Sequence, residues 1–200
     1  MQAQRPDQGR EHSRVQLSVI ARVAALVFAF GAFGSVSHAK AMSLYAGALG
    51  GYGFATQNVG GIDPFGLALG ANAGVSLPII PIYVGARVVW YDGSTGSSIA
   101  GLGKLSRNYL TYGVDLGYDA ELGPIVLRPS LGIGTASQTL SGPVGIRALP
   151  KDSTLYLAPG VALLVKVGLF YVGGEARYNV LTRHDRPDGA VILANVGLTL

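Results

Sequence analysis

Cysteine is absent from all 200 residues, which excludes disulfides, thiolate-held metals and a lipid-modified cysteine behind a leader. Long apolar runs are missing too. Past residue 39 no stretch approaches the roughly 18 residues that a membrane-spanning helix needs, although 49% of the chain is hydrophobic. Charge is scarce at 13%, and the basic residues stand singly, whereas a nucleic-acid face needs clustered Lys and Arg. No nucleic-acid partner is expected. Histidine is almost missing: His12 and His38 lie before residue 40, which leaves His184. Hydrophobicity without a helical span points to strands as its carrier.

The N-terminal stretch stands apart from that pattern. Arg14 and Arg22 precede the apolar run Val23 to Gly34, and Ser37-His38-Ala39 follows it, the order of a secretory signal peptide. Twelve apolar residues make about 18 Å of helix, short of the roughly 30 Å hydrocarbon core. Residues 1–39 are therefore expected to be a cleaved signal, and 40–200 the mature domain. That domain keeps 11 of the chain's 15 basic residues and 9 of its 11 acidic ones, the others being Arg5, Arg10, Arg14, Arg22, Asp7 and Glu11.

From Lys40 onward the chain alternates. Leu110, Tyr112, Val114, Leu116 and Tyr118 fall on one face, with Thr111, Gly113, Asp115, Gly117 and Asp119 on the other, a period of two that only a strand shows. Eight such segments are predicted: 43–54, 67–77, 82–91, 109–120, 125–137, 154–165, 169–180 and 190–200. Each is about the length a tilted strand needs to cross a bilayer. The connectors 78–81, 121–124 and 166–168 are tight and rich in Pro and Gly, while 55–66, 92–108, 138–153 and 181–189 are longer and polar. Short turns on one side and long loops on the other predict an all-β, eight-stranded antiparallel up-and-down transmembrane β-barrel, preceded by a cleavable signal peptide.

Composition decides which face points outward. One face carries Gly70, Asn72, Gly74, Gly85, Arg87, Gly113, Asp115, Gly132, Gly160, Gly173, Glu175 and Arg177, too poor in Lys and Glu and too rich in Gly for a surface in water. It suits the lining of a narrow lumen, where small side chains leave room for a few large ones. The other face, with Leu67, Leu69, Val84, Val88, Leu155, Leu163, Val172, Ile192, Val196 and Leu198, makes a lipid-facing belt. Trp90, Tyr109, Tyr112, Tyr118, Phe170 and Tyr178 near the strand ends are expected to form aromatic girdles.

In this layout the mature chain resembles the small eight-stranded outer-membrane barrels of the OmpA-barrel and OmpX type. Members commonly end in an aromatic residue read by the barrel-assembly machinery. Here the last segment keeps Val196, Leu198 and Leu200 in alternation but finishes in Leu. The resemblance implies an integral outer-membrane location with periplasmic termini and extracellular long loops. It also implies barrel-assembly machinery, membrane lipids and lipopolysaccharide as partners, and no cofactor.

Six charges fall on the proposed lumen face: Arg87, Arg128 and Arg177 against Asp115, Asp119 and Glu175. Three of each sign cancel, and pairing removes the cost of a lone buried charge. Such a network either plugs and orients the barrel or, by exchanging partners, gates a narrow water path. In the outer loops Arg107, Arg147, Lys151, Arg183 and Arg186 would meet anionic lipid head groups. His184 sits beside Asp185 in a polar turn-forming stretch, and sequence neighbours do not make a catalytic triad. Asp185 and Asp188 together are weak ligands for a divalent cation or, with Arg183 and Arg186, for a phosphate. Gly50-Gly51 and Gly173-Gly174 open no helix after a buried strand, so a phosphate loop is rejected. The expectation is a non-enzymatic envelope barrel with a structural or surface-interaction role. A small pore or transporter for narrow or apolar solutes is the alternative, and a lipid A-modifying enzyme is third.

Overall fold

The computed structural model describes residues 42–56, 63–77, 80–93, 106–141, 152–183 and 187–200. Nine strand segments occupy them: β1 (Ser43–Ala55), β2 (Gly66–Ser76), β3 (Ile82–Gly93), β4 (Ser106–Tyr118), β5 (Ala120–Leu122), β6 (Ile125–Ser141), β7 (Asp152–Val167), β8 (Phe170–Leu181) and β9 (Gly189–Thr199). Each pairs antiparallel with its neighbours, and β1 pairs with both β2 and β9, which closes the sheet. β4 and β5 both pair with β6 in one continuous register. They are one wall strand interrupted at Asp119, so the wall has eight strands. Closure removes the edges on which an open sheet would aggregate.

The segments match the eight predicted ones, with differences at the ends. Pairing runs further toward the long loops, to Ser141 in β6 and back to Ser106 in β4. Two tight turns are at Gly123-Pro124, within the predicted connector 121–124, and at Gly168-Leu169, one residue past the predicted 166–168. Each opens on a glycine in the left-handed region, φ +67° and +63°. That is the first central position of a two-residue hairpin loop, where a Cβ is penalised.

Two prolines account for the irregularities in the wall. Pro129 stands opposite Tyr118, between the Gly117–Ser130 and Ala120–Leu127 pairs. Having no N–H, it leaves the Tyr118 carbonyl without its ladder donor, and the strand assignment breaks just there. On the other side the β3–β4 register continues, with Asp119 N donating to Pro81 O at 2.7 Å. Pro159 does the same on β7: the β7–β8 register skips from Leu157–Val180 to Gly160–Arg177, so Pro159 and Tyr178 face each other unpaired.

The outward face is apolar all the way round: Leu44, Leu69, Val88, Leu116, Ile133, Leu163, Val172 and Ile192, one from each wall strand, are all exposed. The interior is filled. Toward the long-loop end lies an apolar and aromatic cluster that includes Phe65, Tyr91, Tyr109, Tyr156, Leu181 and Leu193. Toward the turn end Tyr45, Tyr83, Val126, Leu164 and Tyr171 form a second. Between them sit buried charges. Tyr109 was expected in an outer girdle and is instead 1% exposed in the lumen. The reason is parity: Tyr109 shares its face with Thr111 and Asp115, opposite to Leu110 and Tyr112.

Candidate functional site in the barrel lumen

Alternation alone aims Arg87 (β3), Asp115 (β4), and Glu175 and Arg177 (β8) inward, and the four meet. Arg87 Nε donates to Asp115 Oδ2 at 2.9 Å and Arg87 Nη2 lies 2.8 Å from Glu175 Oε1. Arg177 Nη1 and Nη2 donate to the two Asp115 oxygens at 2.8 Å each, and Arg177 Nε pairs with Glu175. Each carboxylate therefore meets both guanidinium groups in a ring of alternating sign and zero net charge. Strand order adds a mechanical consequence: β3 and β8 stand on opposite sides of the closed wall, so the Arg87–Glu175 pair ties the barrel across its full width. Bidentate Arg–carboxylate geometry of this kind fixes orientation as well as charge.

The other two predicted charges form a separate site nearer the turns. Arg128 Nη2 donates to Asp119 Oδ2 at 2.9 Å, and Ser76 Oγ donates to the same carboxylate. The Arg128 guanidinium lies 3.7 Å from the Tyr83 ring centroid and 4.5 Å from that of Tyr45, in the corner between two rings that meet edge to face, a pair of cation–π contacts out of water. At the mouth of this end Lys166 Nζ pairs with Glu121 at 3.1 Å.

Large lumen side chains are seated over glycines. A Cβ on Gly74 would lie 2.5 Å from the Tyr83 ring, and one on Gly132 would lie 2.7 Å from Asp115 Oδ1 and 2.8 Å from Arg177 Nη1. Phe65, over Gly53 and Gly189, stacks on Tyr109 with centroids 5.8 Å apart and meets Tyr91 edge-on at 5.4 Å. Asp63 holds it there by accepting from Phe65 N at 2.9 Å and Ala55 N at 3.1 Å. Pro64-Phe65 thus fills the loop-end mouth. Sequence reasoning missed this plug, because Phe65 precedes its strand and has no periodicity to announce it. It also missed the lumen tyrosines, although Tyr83 shares parity with Gly85 and Arg87, and Tyr171 with Gly173 and Glu175.

Arg147, Lys151, His184, Asp185 and Arg186 lie outside the described residues, as does the side chain of Arg107. Arg183 is exposed at the loop end. Asp188 is buried, and its carboxylate accepts from Leu181 N at 2.9 Å. The bond satisfies a backbone donor at the end of β8. Among the described residues no cluster of His, Cys, Asp and Glu could hold a metal ion. Gly50-Gly51 and Gly173-Gly174 lie inside β1 and β8.

No family model matches the chain, and no curated protein does. Solved structures do. Neisserial surface protein A superposes with a TM-score of 0.56 at 14% identity, covering 81% of this chain and 99% of that one. Ail, the attachment invasion locus protein of Yersinia pestis, in complex with the heparin analogue sucrose octasulfate, gives 0.54 at 14%, covering 80% and 97%. A major outer membrane protein of Thermus thermophilus gives 0.54 at 12%, covering 80% and 100%. The fold is that of the small closed barrels of outer membranes.

Proposed function

We propose that the protein is an integral outer-membrane barrel with a non-catalytic, structural or surface-interaction role in the cell envelope. The observation that carries this is the outward face: apolar side chains cover the outside of every wall strand, while the charges are drawn inside as ion pairs between two clusters of apolar and aromatic side chains. Such a surface is stable only against hydrocarbon. In this reading residues 1–39 are the signal that directs export, the assembly machinery inserts 40–200, and the termini and tight turns face the periplasm. The long loops then face outward. Their basic residues Arg107, Arg147, Lys151, Arg183 and Arg186 contact lipopolysaccharide and other polyanionic glycans, a reading supported by the sulfated sugar crystallised with the Yersinia barrel. In the lumen the charge ring acts as a plug and cross-tie, with the Phe65 cluster above it and the Arg128–Asp119 pair below.

Planar-bilayer recording tests the plug against the pore. The purified barrel is expected to be silent, and Phe65→Ala is expected to stay silent because the charge ring still spans the lumen. Stepwise conductance in the parent, altered by Arg87→Ala or Glu175→Ala, would establish the pore instead.

A further inference from the structure

The turn end of the barrel has an unexpected surface. Turn tips that face water draw on Asp, Asn, Ser and Lys as well as Gly and Pro. Here the tips and the strand ends beside them carry Ile80, Leu122, Val167, Leu169, Phe170 and Leu200, each between 56% and 69% exposed. The charges described at this end are self-neutralised: Lys166 pairs with Glu121, and Asp119 and Arg128 are buried against each other. A hollow of about 520 Å³ opens on the same end of the outer wall between β1, β2 and β9, bordered by Leu44, Ala46, Ala73, Val75, Leu198 and Leu200.

Length points the same way. On β7 the outward positions are free of charge from Leu155 to Val167, twelve steps that span about 30 Å along the axis at ~3.3 Å per residue and a tilt of ~40°. The usual lipid-facing band is about 25 Å tall. The excess lies at the turn end, because polar Ser153 and Thr182 mark the limit at the loop end.

We propose that the turn end is itself a lipid-binding surface: its tight turns at Gly123-Pro124 and Gly168-Leu169 insert among the phospholipids of the adjoining leaflet, with an acyl chain in the hollow beside Ala46 and Ala73, and no collar in water. The occupant is lipid because the apolar turn rim is continuous with the outward belt, with no polar boundary between Leu163, Val165 and the Leu169 tip. This rests on the membrane-barrel reading, which the test checks separately.

The chain's one tryptophan, Trp90, is outward and 38% exposed, and serves as the control. The protein is reconstituted in phosphatidylcholine vesicles whose acyl chains are brominated near the carbonyl end or at mid-chain. Parent Trp90 emission should be quenched by bromine; if it is not, the membrane reading itself fails. In a Trp90→Phe background, Leu122→Trp and Leu169→Trp should both be blue-shifted, quenched by bromine near the carbonyl end, and insensitive to aqueous iodide. Quenching by iodide and not by bromine, with Trp90 still bromine-quenched, would place the turns in water and overturn the proposal. So would protection from both quenchers, which would mean that protein and not lipid covers this end.

Discussion

Asp115 accepts hydrogen bonds from both buried guanidinium groups of the charge ring, so its loss strands two cations on one remaining carboxylate. Asp115→Ala is expected to destabilise the barrel by about 3–5 kcal/mol, the usual consequence of breaking a buried pair from one side, read from urea unfolding in detergent micelles. A change below about 1 kcal/mol would mean that water already screens the site. Gly74→Ala probes packing without touching charge. Its Cβ would meet the Tyr83 ring at 2.5 Å, and overpacking of this kind costs about 1–3 kcal/mol; Gly50→Ala, whose Cβ would find its nearest neighbour at 3.8 Å, is the matched control and should be close to neutral. Parity in the sequence was enough to put all six charges on one face. It could not say that Arg128 chooses Asp119 while Arg87 and Arg177 share Asp115 and Glu175, because partner choice depends on how far each strand is staggered past the next, and alternation is blind to stagger.

At the level of elements, segment boundaries were legible because turn chemistry and alternation agree. The interruption at Asp119 was not, although its cause is a visible residue: a proline inside an alternating run signals an edge strand or a gap, and in a closed wall only the gap is available. Pro159 makes a second gap, between β7 and β8. Pro159→Val restores a donor opposite the Tyr178 carbonyl and suits a strand, so a gain of about 1 kcal/mol is expected, with slower amide exchange on both sides of position 159. No gain in unfolding midpoint would show that the ladder is already satisfied there by other means. Phe65 marks the limit of pattern reading at this scale, since a plug held by Asp63 and two glycines is made by contacts between distant segments.

At the scale of the whole barrel, the described wall is apolar toward its surroundings and keeps its charges paired inside a filled lumen. The eight-strand count and closure followed from counting alternating segments, but the layering of the lumen into a Phe65 cluster, a charge ring and an Arg128–Asp119 site is a property of the closed barrel that no single segment contains. The claim beneath everything else is that this chain folds as a closed barrel in lipid. Mature protein refolded into micelles and run unboiled and boiled on a detergent gel tests it most directly. A faster unboiled band, together with strand-dominated circular dichroism, is the expected result. Coincident bands from a protein that stays soluble without detergent would contradict the account.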